Sequence, residues 1–289
     1  RQADSALRDA KAQGRNTSRL FTPALSQAAM ERLLTETELR QALARNELVL
    51  YYQPQIDMQS RHMVAVEALV RWNHPTRGLL CPDHFIPMAE HSELILPLGE
   101  WVLRVACKQM RAWQLAGFTH IKRVAVNLSA RQLDLPDLPK LIASALRESG
   151  LDAHHLELEI TESAAMRNPN HSIETLKALR DMGVDLALDD FGTGFSSLTH
   201  FKLFPVTSLK IDKSFVRNVE TDRYDAEICM ATINMARKLG LRVVAEGVET
   251  QGQFDFLSKL ECSEAQGYLI SIPVLAEDLA QFEPSHIPC

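Results

Sequence analysis

The chain has 289 residues, 46% apolar and 24% charged, a soluble-globule balance that excludes wholesale disorder. Its net charge of −6 gives no excess of cations to displace counterions from phosphates, so duplex nucleic acid is not an expected partner. No apolar run approaches the ~18 residues that would suggest a membrane span. The five cysteines are scattered, with no Cys-x-x-Cys pair, and read as reduced thiols in a cytoplasmic protein. The first residue is Arg1 and no signal segment follows, which reads as an excised piece of a longer chain.

Residues 1–30 are polar and small, broken at Gly14-Arg15-Asn16-Thr17-Ser18, and read as a tail or linker ahead of a domain over 31–289. Thr35-Glu36-Thr37-Glu38 offers a capping-box start to a helix ending near Asn46. Two β-rich runs, Leu48 to Ile56 and Met63 to Arg71, flank a polar turn and predict a hairpin. Helical periodicity then occupies 94–116, 137–149, 171–182, 222–239 and 250–260. Between these lie short apolar runs at Val124 to Val126, Leu156 to Ile160, Val184 to Leu188, Ser208 to Ile211, Arg242 to Ala245 and Ala265 to Leu269. Strand and helix alternating this long predict a parallel sheet with helices outside, and about eight strands would close a (β/α)8 barrel. An open doubly wound sheet is the alternative, disfavoured because no Gly-x-Gly-x-x-Gly or Walker loop follows a strand.

The acids fall in a pattern. In Leu156-Glu157-Leu158-Glu159-Ile160 they alternate with aliphatics, so leucines facing the helices would turn both glutamates into the barrel. Glu67, Asn127, Asp189 with Asp190, Lys210, Glu246 and Gln266 recur near the carboxyl ends of other strands, where barrel enzymes place their active sites. A single such acid is more often a helix cap or salt-bridge partner; the recurrence from strand to strand argues for a site. Carboxylates with an amide and no cysteine form a hard oxygen set, suited to Mg²⁺ or Mn²⁺ better than to zinc. Two such ions ~4 Å apart would activate water and stabilise a leaving oxygen in phosphoester displacement. Arg71, four residues after Glu67 on the same strand face, could bind a substrate phosphate. The histidines show no metal-ligand spacing, and Trp72, Trp101 and Trp113 read as packing.

Glu67-Ala68-Leu69-Val70-Arg71-Trp72 resembles the signature of the EAL-domain cyclic di-GMP phosphodiesterases. The resemblance continues through Asn127-Leu128-Ser129, Glu159 to Ser163, Asp189 to Leu198, Leu209 to Asp212, Ala245 to Thr250 and Gln266-Gly267-Tyr268, over roughly residues 31 to 282. It implies a TIM-like barrel with one antiparallel strand, which the early hairpin would supply. It also implies hydrolysis of cyclic di-GMP to linear pGpG with two divalent cations, Mg²⁺ or Mn²⁺. By the same resemblance, Glu67, Asn127, Glu159 and Asp189 look like ligands of one ion, and Asp189, Asp190 and Glu246 like ligands of a second. Lys210, Glu246 and Glu67 would carry the catalysis, with Lys210 on the attacking water. Arg71, Gln266 and Leu69 would touch substrate; Glu249 and Asp212 would support the site. Glu162 would anchor the loop from Phe191 to Leu198, associated in the family with homodimer contacts. Some members keep the fold and act only as cyclic di-GMP receptors, so a receptor module is the alternative. Ala3 to Asn16 is similar to the last helix of GGDEF-type diguanylate cyclase domains, which implies such a domain, or a sensor, upstream.

Overall fold

β1 (Leu48–Asp57) and β2 (Met63–His74) are joined by a turn in which Asp57 Oδ1 accepts hydrogen bonds from Ser60 N and Ser60 Oγ, both at 2.7 Å. This is the predicted hairpin. The computed structural model describes residues 23–193 and 201–279, in two compact units. One joins the described residues up to Val49 with Arg71–Ile95, and the other joins Leu50–Val70 with the described residues from Leu96 onward.

In the first unit, α1 (Pro23–Arg45) buries Leu39 and Ala42. The helix starts well before Thr35, so the predicted capping box is not its beginning. Thr37 Oγ1 instead donates to the Leu33 carbonyl within the helix (2.9 Å), and the alanine- and leucine-rich stretch behind Pro23 favours continuing it backward. Residues 23–30, read as part of a tail, are therefore helical; the GGDEF-like segment lies outside the described residues. Trp72 is fully buried, its indole nitrogen donating to Glu47 Oε2 (3.1 Å) and its ring meeting Phe85 edge-on at 5.8 Å. β3 (Gly78–Leu80) pairs antiparallel with the end of β2, and α2 (Ile86–His91) follows.

The second unit holds the alternating part. In chain order it contains α3 (Ile95–Leu115) from its second residue on, β4 (Arg123–Asn127), α4 (Ala130–Leu133), α5 (Leu138–Ser149), β5 (Leu156–Thr161), α6 (Glu162–Arg167) and α7 (Pro169–Asp181). β6 (Asp185–Phe191), β7 (Ser208–Ile211), α8 (Lys213–Arg217), α9 (Arg223–Leu239), β8 (Arg242–Ala245), α10 (Gln251–Lys259), β9 (Glu264–Ala265) and α11 (Ala276–Leu279) complete it. The strands β2, β4, β5, β6, β7, β8 and β9 follow one another in parallel. β1 runs antiparallel to β9 and also pairs with β2, closing an eight-stranded mixed barrel. This is the TIM-like α/β barrel with one antiparallel strand. Helices cover it through apolar stripes such as Leu138, Ile142, Ala145 and Leu146 of α5, which recur on one helical face. The predicted strand over 265–269 is shorter than its apolar pattern. β9 ends at Ala265, because Leu269 N turns to the Val248 carbonyl (3.0 Å) and Ile270 N to Gly267.

The amino ends of the strands carry a buried ion network. Arg123 pairs with Glu157 (3.3 Å) and with Glu264; Arg242 joins Glu157 to Asp185 (3.0 Å); Ser208 Oγ donates to Glu157 Oε2 (3.0 Å). Burial opposes a charged Glu157, but the two guanidiniums and Ser208 outweigh it and hold its carboxyl below the usual range. Removing one partner of a buried ionic cluster leaves its opposite charge desolvated. Glu157→Gln is therefore expected to lose about 3 kcal/mol, the low end for such a break because Glu264 and Asp185 still face the arginines. Urea unfolding checks this; an unchanged midpoint would show that the network adds no stability.

Candidate functional site

Side chains that point inward near the amino ends meet as Arg123, Glu157 and Ser208; two residues further along the same strands stand Glu159 and Lys210. Register brings Asn127 opposite Glu159 and Thr161 opposite Asp189, which carries the polar layer around the barrel. β4, β5 and β7 stop where a helix cap follows directly, and a capped helix also follows the loop after β8. Ser129 caps α4 in a capping box with Gln132, Thr161 caps α6, Asp212 caps α8, and Thr250 caps α10 in a second box with Gln253. Cap and site residue are two apart at Asn127, Glu159 and Lys210, so strand end and site coincide.

Lys210 is the hub. Its Nζ lies 2.6 Å from Glu159, 2.6 Å from Glu246, 3.5 Å from Glu67 and 3.9 Å from Asp189. Glu159 and Lys210 are sealed, whereas the side chains of Asp189 and Glu246 retain 13% and 19% exposure, so the cluster opens on their side. Glu67 accepts from Asn127 Nδ2 (2.7 Å) and Gln266 Nε2 (2.6 Å). Gln266 is held in turn, accepting from Gln55 Nε2 (2.8 Å) and donating to Gln53 Oε1 (2.9 Å).

One ammonium serves four carboxylates, and that imbalance shifts the proton affinities of the group. Burial would lower Lys210, but Asp189, Glu159, Glu246 and Glu67 together keep it well above the ordinary lysine range. Burial opposes a charged Glu67 as well, yet Lys210, Gln266 and Asn127 hold it below the usual carboxylate range. Burial and neighbouring acids push Glu159 well up, raise Asp189, and bring Glu246 to about 8. Asp190 is pushed to about 6 by burial and by Asp189 and Asp212. It stands beside both because β6 shifts register between Leu188 and Phe191, where Asp190 takes φ 54° and strict alternation of faces is lost.

Among the described residues, no three His, Cys, Asp or Glu side chains already converge on one point as an ion cage; the acids lean on Lys210. The donor chemistry nevertheless fits a hard cation. The carboxylates outnumber the ammonium, and buried Glu159 Oε1 has no hydrogen-bond partner.

Glu162 is buried and its Oε2 accepts from Gly192 N at 3.4 Å, so it touches the start of the loop it was expected to anchor; residues 194–200 lie outside the described set. Asp212 caps α8 and adjoins Asp190. Glu249 is exposed and meets its neighbours through its backbone, Glu249 N donating to Gln253 Oε1. Leu69 is half-buried on the Glu67 face of β2, and Arg71 belongs to the first unit. Sequence reasoning missed Gln53 and Gln55, although their i, i+2 spacing in Tyr52-Gln53-Pro54-Gln55 puts both amides on one strand face. It also gave Gly267 no role. A Cβ there would lie 2.2 Å from the Val248 carbonyl oxygen and 2.3 Å from its nitrogen, and backbone cannot swing aside. Gly267→Ala is expected to displace Val248 and Glu246 two residues before it, cutting turnover about 100-fold. A variant with parental turnover would show that this close approach is not needed.

The EAL domain family model matches residues 36–273. The chain belongs to that family. It is 45% identical over 277 residues to the bifunctional diguanylate cyclase/cyclic di-GMP phosphodiesterase MucR of Pseudomonas aeruginosa, covering 96% of this chain and 40% of that protein. It is 46% identical over 280 residues to the cyclic di-GMP phosphodiesterase NbdA of the same organism, covering 97% and 36%. This EAL chain thus spans well under half of either relative. A solved structure described as the PaMucR phosphodiesterase in complex with c-di-GMP superposes with a TM-score of 0.82 at 46% identity, over 85% of this chain and 99% of that one.

Proposed function

We propose that this EAL domain hydrolyses cyclic di-GMP to linear pGpG, using two divalent cations, Mg²⁺ or Mn²⁺. The observation that carries the reading is the cluster at the carboxyl end of the barrel in which buried Glu67, Glu159, Asp189 and Lys210 meet half-buried Glu246 and exposed Asn127, with Asp190 beside Asp189. Similarity to proteins named as cyclic di-GMP phosphodiesterases supplies the substrate class.

Glu67, Asn127, Glu159 and Asp189 would hold one ion, and Asp189, Asp190 and Glu246 the other. Bound there, the ions would lower the pKa of water and offset charge on the phosphate oxygens. Lys210 donates to the attacking water and keeps its oxygen lone pair toward phosphorus. The water loses one proton as its oxygen bonds to phosphorus and the bond from phosphorus to one ribose 3′-oxygen breaks; that oxygen takes up one proton, so the net transfer is from water to the leaving group, giving one free hydroxyl and one terminal phosphate. Gln266, fixed by Gln53 and Gln55, donates to Glu67 and, after Lys210, helps to hold its carboxyl below the usual range. Arg71 would pair with a substrate phosphate and Leu69 would line the ligand's path.

On the same reading the domain works in the cytoplasm, as a homodimer through the barrel, under an upstream GGDEF or sensor domain. Among the described residues no helix is long and apolar enough to cross a membrane. Incubating the purified chain with cyclic di-GMP and Mn²⁺, with chromatographic separation of products, tests the proposal. Accumulation of pGpG supports it. Tight binding without turnover would make the domain a receptor instead.

A further inference from the structure

Glu246 follows β8 instead of lying within it, so its place beside Lys210 depends on the loop from Glu246 to Thr250. That loop is gripped at successive residues. Gly247 takes φ 65° and sits so close to α8 that a Cβ would fall 2.5 Å from the Lys213 Cβ. Val248 is fully buried and its N donates to the Gln266 carbonyl at 3.1 Å. Glu249 N and Thr250 N both donate to one atom, Gln253 Oε1, at 2.7 and 3.0 Å. The other end of that buried amide, Nε2, donates to the carbonyl of Arg217 at 3.1 Å. Arg217 is the last residue of α8, the helix that starts just after Lys210 and its neighbour Asp212.

We infer that Gln253 is a positioning residue that ties the Glu246 loop to α8 and so holds Glu246 against Lys210. The inference rests on the phosphodiesterase reading for its effect on turnover, but the tether itself does not depend on it. As the third residue of α10, Gln253 also completes a capping box, and that role alone would explain the bond from Thr250 N, the cap residue. The two roles separate chemically. Glutamate accepts in a capping box as well as glutamine does, yet an ionised carboxylate has no proton to donate to the Arg217 carbonyl and would repel it.

The test compares the full chain with Gln253→Glu and Gln253→Leu, reading amide hydrogen exchange without divalent ions, and kcat and KM for cyclic di-GMP with Mn²⁺. Both variants are expected to speed exchange at Glu249 and Thr250 while β5 and β7 amides stay protected. Both should lower kcat about 10- to 100-fold, as for a displaced catalytic group, with KM nearly unchanged. If Gln253→Glu keeps the parent's exchange and kcat, the residue only caps α10 and the inference fails, whatever Gln253→Leu does; should Gln253→Leu not fold, the glutamate variant decides alone. If the parent itself fails to turn over cyclic di-GMP, the functional reading falls, and the exchange comparison still decides the tether.

Discussion

Lys210→Met is expected to lower the stability of the ion-free protein by about 3–5 kcal/mol and to abolish measurable turnover. The substitution keeps the length and apolar character of the side chain but deletes the one ammonium among Glu67, Glu159, Asp189 and Glu246. Breaking a buried ion pair by removing one partner is the costly case, because the charge left behind has lost both water and counter-ion. Here four carboxylates are left. A divalent cation bound among them should recover more stability in the variant than in the parent, since binding to the native state alone stabilises by mass action. Thermal unfolding in chelator and then in Mn²⁺ measures both effects. Equal stability of variant and parent in chelator would mean that Lys210 does not hold the acids together.

The second large effect concerns the ions. Chelation is expected to stop turnover, and Mg²⁺ or Mn²⁺ to restore it, with Ca²⁺ a poor substitute because its longer and more variable coordination would not keep two ions at a fixed spacing. Glu67→Ala and Asp189→Ala should each cost at least ~100-fold in rate. The fold should survive, because each removes a like charge from a crowded cluster. Glu67 is the more informative of the two. Its oxygens already accept from Asn127, Gln266 and Lys210, so its loss frees three donors as well as removing an acid. Full activity in excess chelator would contradict the ion mechanism.

How much of this was legible in the sequence depends on how far each residue's role is local. Glu157 and Glu159 were predicted to face inward from a period of two, and both are buried inside the barrel. The same period gave no warning that they do different work, since Glu157 meets Arg123 and Arg242 at one end while Glu159 meets Lys210 nearer the other. That division follows from which strands are neighbours in space. The start of α1 was misplaced because Thr35 to Glu38 carries a sound capping pattern that the helix overrides, and β9 was overextended because an apolar run does not reveal when its hydrogen bonds turn elsewhere. Gln53, Gln55 and Gln253 escaped notice as amides with no distinctive spacing. Their importance lies in partners far away in the sequence, Gln266 just after the neighbouring strand β9 for the first two and Arg217 for the third.

The central claim is that the acids around Lys210 drive attack of water on a phosphodiester. Turnover of cyclic di-GMP with Mn²⁺ in water enriched in heavy oxygen, followed by mass spectrometry, tests it most directly. The account predicts pGpG carrying one heavy oxygen in its terminal phosphate, with none formed by Lys210→Met. Recovery of intact cyclic di-GMP from the ion-loaded parent, or an unlabelled product, would contradict it.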